Sequence, residues 1–156
     1  MGARKILLLN GHGGNDVPVR AALREIKTDL GGRRGVHILY SAYWMLAAQS
    51  SKEIRESGLG GLGHACEMET SLMLHLHPDR VRMDLARRDG PSYASAYRRG
   101  DMQLAKPAYS VNEFHEITES GIAGHPDLAT AEKGGRFLSA IVTDVSAFIG
   151  DLLTWE

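Results

Sequence analysis

Two short stretches of this chain bring together residue types that can do chemistry. Asn10-Gly-His-Gly-Gly-Asn15 sets one imidazole among three glycines, directly after the apolar run Ile6-Leu7-Leu8-Leu9. Gly63-His-Ala-Cys-Glu-Met-Glu-Thr-Ser71 sets a second imidazole three residues before a carboxylate. Glycine tolerates positive φ and carries no side chain, so Gly11, Gly13 and Gly14 let the backbone turn off a strand and approach a ligand closely. On a helix His64 and Glu67 share a face, a spacing by which helices present metal ligands or an acid/base pair. The bland alternative is a capped helix start with exposed polar groups, and Glu69 is expected to point the other way. Cys66 diverges from its helical neighbours by about 100° and is not expected to act as a nucleophile. A glycine loop before a helix can also cradle a phosphate. That reading meets an obstacle at Asp16, which stands where the dinucleotide fingerprint wants a third glycine and whose carboxylate repels phosphate.

The elements that must carry these groups follow from apolar spacing. Lys5 to Leu9 reads as a strand buried on both faces, as in a parallel sheet. Its carboxyl end, where ligands bind in such sheets, is where His12 stands. Val17, Val19, Leu23, Ile26 and Leu30 then recur at helical spacing, with Asp16 placed to cap and Gly31-Gly32 placed to stop the helix. Val36 to Tyr40 reads as a second strand, which makes the first 40 residues one βαβ unit. Ser50 to Gly63, rich in glycine, is expected as a mobile loop or plain linker leading toward a site, with Gly58 to Gly61 able to act as a lid. Ala65 to His77 reads as a helix stopped by Pro78. Asp89 to Ser110 reads as loops with a strand near Ala108 to Val111. From Pro126 the apolar spacing returns through Phe137, Ile141, Val145, Phe148 and Leu153, predicting a long helix packed on the sheet.

The bulk numbers bound the answer. A length of 156 residues suits a single domain over 1–156. The formal net charge of −1 gives no field for steering onto nucleic acid or an anionic membrane. Arg80 to Arg88 is locally basic but interrupted by Asp84, and reads as a solvated face or else an anion-binding surface. Cys66 is the single cysteine, so no intrachain disulfide forms and a reducing, cytoplasmic setting is expected. No signal peptide and no membrane span is expected from the apolar runs.

Three motifs in order resemble those of the creatininase (creatinine amidohydrolase) family: Asn10 to Asn15, His64 to Ser71, and Ser120-Gly-Ile-Ala-Gly-His-Pro-Asp-Leu-Ala-Thr-Ala-Glu-Lys-Gly134. The resemblance implies an α/β fold, three-layer α/β/α with a mostly parallel sheet. It also implies a site with two divalent metals, zinc, manganese or iron, that hydrolyses a non-peptide, often cyclic amide C–N bond of a small molecule. His12 matches a metal-ligand histidine and Glu67 a carboxylate on the second metal, so the two are expected to converge on one cation pocket. His64 matches a histidine placed to stabilise the tetrahedral intermediate or protonate the leaving nitrogen. Gly13, Gly14 and Trp44 are expected beside the substrate, Trp44 in the region of the family's aromatic lid. His125 stands where the family usually has Asp, in what is expected to be a structural loop.

The resemblance places the remaining family ligands, a Glu-x-His pair and an Asp, in an N-terminal portion that this chain is expected to lack. Glu113-Phe-His115 repeats the Glu-x-His spacing and is otherwise a polar loop with a helix cap. Missing strands would leave apolar surface uncovered, so a homo-oligomer is expected. Three functional readings stay open: an amidohydrolase whose other ligands come from a further segment or chain, a non-catalytic member that keeps the fold, and an anion-binding module using the glycine loop.

Overall fold

The computed structural model of the chain describes residues 2–90, 97, 100–104 and 106–156. The first unit is β1 (Lys5–Asn10), α1 (Asp16–Asp29) and β2 (His37–Ala42), with β1 and β2 paired in parallel from Lys5↔His37 to Asn10↔Ala42. This is the expected βαβ order. Gly31 and Gly32, at φ 62° and 65°, turn the chain off α1 as a left-handed pair that side-chain-bearing residues rarely adopt. Asn15, not Asp16, precedes the helix, and Asp16 opens it in an ion pair with Arg20 at 3.3 Å. One expectation fails here: Ile6, Leu8 and Leu9 are exposed rather than buried. Among the described residues β1 has β2 as its sole sheet partner and α1 buries no residue, so nothing covers those side chains.

The second unit follows two short helices, α2 (Tyr43–Leu46) and α3 (Ala48–Ser51). It comprises β3 (Leu62–His64), α4 (Glu67–Leu76), α5 (Phe114–Ile117), β4 (Ala123–Gly124) and α6 (Ala131–Thr154). β3 and β4 pair antiparallel, with Leu62 opposite Gly124 and His64 opposite Ala123. The fold is α/β, and its strands form one parallel and one antiparallel pair among the described residues. The core joins Ala42 at the end of β2 to Trp44, Ile54, Leu62, Cys66, Met68 and Phe137, which pack together. Close helix crossing is set by Gly134, where a Cβ would lie 1.9 Å from the Ser71 carbonyl oxygen.

Three further expectations are corrected. The helix predicted from Ala65 starts at Glu67, because Ala65 takes a positive φ of 47° and Cys66 is extended. His64 therefore sits on β3, and the shared helical face with Glu67 does not form. The loop before β3 is pinned rather than loose: Asp101 accepts from Arg55 at 2.8 Å and from the Gly60 N–H at 3.1 Å, while Ser57 and Gly60 are buried. No strand forms at 108–111, and the part of that stretch at 91–96, 98, 99 and 105 lies outside the described residues.

The long last helix is present, but its first half packs on α4 rather than on the sheet, burying Lys133, Gly134, Phe137 and Ile141. Near its end it meets the first unit, where Lys5 Nζ donates to the Leu153 carbonyl at 2.5 Å. Over an 18-residue window α6 has a mean hydropathy of 1.5, long and apolar enough by composition to cross a membrane, a run that the sequence reading does not anticipate. Val142, Ile149 and Leu153 on it are exposed.

Candidate functional site

The loop after β1 is built by the side chain of Asn10. Asn10 is buried, and its amide donates to the His12 carbonyl and to the Tyr40 hydroxyl, both at 2.7 Å. Its Oδ1 accepts from the His12 N–H at 3.1 Å and from the Asn15 amide at 3.2 Å. One side chain thus satisfies a backbone that leaves the strand with no ladder partner. The imidazole of His12 is consequently held at the strand's carboxyl end. Gly14 stands close to this ring, since a Cβ there would lie 3.1 Å from His12 Nε2 and the imidazole would have to give slightly.

His64, at the end of β3, faces the same space. Its ring centroid is 6.3 Å from that of His12, edge to face, and 4.9 Å from that of Phe114 on α5. Between them opens a cleft of about 810 Å³ whose walls include Trp44, Tyr97, Met102, Tyr109 and Phe114, with Lys106 as a cation. Gly13 and Gly14 line it, as does Glu69, whose Oε2 accepts from the Ala65 N–H at 2.6 Å. Glu69, expected to point the other way, stands on the cleft wall. Trp44 lines the cleft while also standing in the core, edge-on to Tyr43. Met102, Lys106 and Tyr109 carry no sequence signal, because they come from irregular chain with no spacing to read.

Glu67 is placed differently from its expected partner His12. Its side chain is fully buried, and it accepts from the Glu56 N–H at 2.9 Å, the Ser57 N–H at 2.8 Å and Lys133 Nζ at 2.8 Å. Burial raises its pKa, but the Glu56 N–H, the Lys133 ammonium and the Ser57 N–H together outweigh that and hold the carboxyl below its ordinary value. Lys133, also buried, has its pKa lowered by desolvation but raised further by Glu56 at 2.7 Å and by Glu67, so it stays protonated. Glu67 is absent from the cleft walls. Burial pushes the Cys66 thiol up to about 11, which leaves it inert near neutrality. Glu113 caps α5 through a reciprocal box with Glu116, so Glu113-Phe-His115 opens a helix. The His125 N–H donates to the Gly61 carbonyl at 3.2 Å, and the residue leads into the turn Pro126–Leu128.

Among the described residues no three His, Cys, Asp or Glu side chains gather to hold a cation. A catalytic zinc takes about three protein ligands and keeps one position open. The two imidazoles and one hydrogen-bonded carboxylate of the cleft do not fit a two-metal centre by themselves.

Comparison with known proteins decides the family. The family model described as creatininase, creatinine amidohydrolase, matches residues 1–149. The chain belongs to the creatininase family. It is 30% identical over 148 residues to the mycofactocin precursor peptide peptidase of Mycobacterium tuberculosis, covering 91% of this chain and 46% of that protein. A Bacteroides fragilis structure assigned to creatinine amidohydrolase matches with a TM-score of 0.72 and 29% identity, over 99% of this chain and 56% of that one. A mutant creatininase of the Zn-Zn type matches with a TM-score of 0.67 and 25% identity, over 96% and 57% of the two chains. The chain spans about half the length of the relatives it matches. Creatininase-family members are metal-dependent amidohydrolases, and divalent metal use belongs to the family.

Proposed function

We propose that the cleft between His12 and His64 is an amide-hydrolysing site, to which donors beyond the described residues contribute the rest of a divalent-metal ligand set, from a further segment or a second chain. The observation that carries this reading is the meeting of two imidazoles, one at the end of a parallel strand and one 52 positions later by number (64 − 12), in one cleft of a creatininase-family fold. His64 is the proton donor to the departing nitrogen, since an imidazole can take and return a proton near neutral pH. Phe114 holds its ring edge-on, and the aromatic walls exclude water around the scissile bond. Glu67 serves as the buried partner of Lys133 and fixes the start of α4.

The motifs alone favour a small cyclic amide. A cleft of about 810 Å³ with Trp44, Tyr97, Met102, Tyr109 and Phe114 among its walls and Lys106 beside them suits a larger substrate, a peptide-like amide with a bulky side chain and a carboxylate for Lys106. The name of the Mycobacterium tuberculosis relative, a peptide peptidase, points the same way. A second reading, a non-catalytic member that keeps the fold, is favoured by the short donor set. The test is hydrolysis of creatinine and of short aromatic peptides by the purified protein with zinc or manganese. Metal-dependent release of amine, reduced about 10²–10⁴-fold in His64→Ala, supports the enzyme; no release under any condition supports the second reading. We place the protein in a reducing, cytoplasmic compartment on its lone buried thiol.

A further inference from the structure

A second cavity lies beside the β3–β4 pair, lined by residues that flank its strands. Its volume is about 500 Å³, and it is walled by Val81, Met83, Leu85 and Ile122, with Arg82 and Arg87 also among its lining residues. Consecutive residues divide the two spaces: His64 and Ala123 line the cleft, whereas Ala65 and Ile122 line this cavity. Ala65 and Ile122 directly flank the two strands, so the cavity adjoins the same short pair that lines the cleft.

The charge here is unbalanced. Arg88 pairs with Asp127 at 2.9 Å, but neither Arg82 nor Arg87 makes an ion pair with a described residue. Asp89, two residues after Arg87, spends its oxygens on the Ser120 hydroxyl and N–H, the Thr118 hydroxyl and the N–H groups of Glu119 and Gly90. Asp84 is exposed on the turn Met83–Leu85 and does not line the cavity. Two exposed guanidinium groups beside an apolar hollow of ligand size are a receptor for a compact anion with an apolar tail.

We propose that this cavity binds a small organic anion, a carboxylate or a phosphate monoester, with its head between Arg82 and Arg87 and its tail against Val81, Met83, Leu85 and Ile122. An occupant lies against Ala65, the one described non-glycine residue with positive φ, so occupancy is sensed next to His64. The site is independent of whether the cleft hydrolyses amides.

Backbone amide NMR of the full chain, titrated separately with hexanoate, hexyl phosphate, inorganic phosphate and hexanol, tests this. Saturable shifts at Ala65, Met83 and Ile122 with hexanoate or hexyl phosphate are expected, and whichever binds tighter names the head group. In Arg82→Gln/Arg87→Gln, whose side chains are exposed and whose spectrum should otherwise match, affinity should fall at least about tenfold, or ~1.4 kcal/mol. The proposal is overturned if no anion saturates, if hexanol binds as well as hexanoate, if bare phosphate binds as well as its hexyl ester, or if the double variant binds unchanged.

Discussion

Replacing Glu67 by alanine leaves the buried Lys133 ammonium without its enclosed counter-charge and strips the Glu56 and Ser57 N–H groups of their acceptor. Breaking such a buried pair costs about 3–5 kcal/mol, and urea unfolding of Glu67→Ala should show a loss of that size. The pH dependence has a definite sign. Because the Glu67 pKa is lowered in the folded state, its contribution is complete above about 4.3, the ordinary glutamate value, and fades as pH falls further. Lys133 is shifted upward, so its contribution holds below about 10.4 and fades at higher pH. Unfolding midpoints of Glu67→Gln should therefore fall less steeply below pH ~4 than those of the native chain. At this scale the two imidazoles were legible, since glycines and a strand end mark one and a family motif marks the other. The partner of Glu67 was not: a carboxylate at that spacing reads the same whether it meets a cation in a cleft or a lysine 66 residues away.

At the scale of elements, the β1–α1–β2 unit could be read from the sequence because its contacts are local and its periodicity changes cleanly at Asp16. The β3–α4 junction could not. Residues 65–77 carry helical spacing, yet the antiparallel pairing of His64 with Ala123 pulls the chain into a strand and forces the turn at Ala65. The stretch that forms the cleft's aromatic wall has no periodicity, and its geometry is set by distant contacts such as the Met102 N–H donating to the Leu62 carbonyl at 2.7 Å. The α4–α6 crossing is a consequence of a single missing methyl. Gly134→Ala places a carbon 1.9 Å from the Ser71 oxygen, so the helices must part. Denaturant unfolding should register a loss of about 1–3 kcal/mol or more, whereas Gly150→Ala, with nothing within 4 Å, should be neutral or slightly stabilising.

For the whole molecule, the exposed row Ile6, Leu8 and Leu9, together with Val142, Ile149 and Leu153 on α6, leaves apolar surface that water disfavours. We expect this surface to drive self-association, so sedimentation at micromolar concentration should show dimers or larger species; a monodisperse monomer would count against it. Among the described residues the donor set is too small for a two-metal centre and β1 has β2 as its sole sheet partner. The most direct test of the reaction centre is side-chain NMR of the seven imidazoles during a zinc titration. The account predicts weak, saturable shifts of His12 and His64 with a common midpoint, retained in folded Glu67→Gln. Zinc shifts confined to other histidines, or a response lost when Glu67 alone is neutralised in a folded chain, would contradict it.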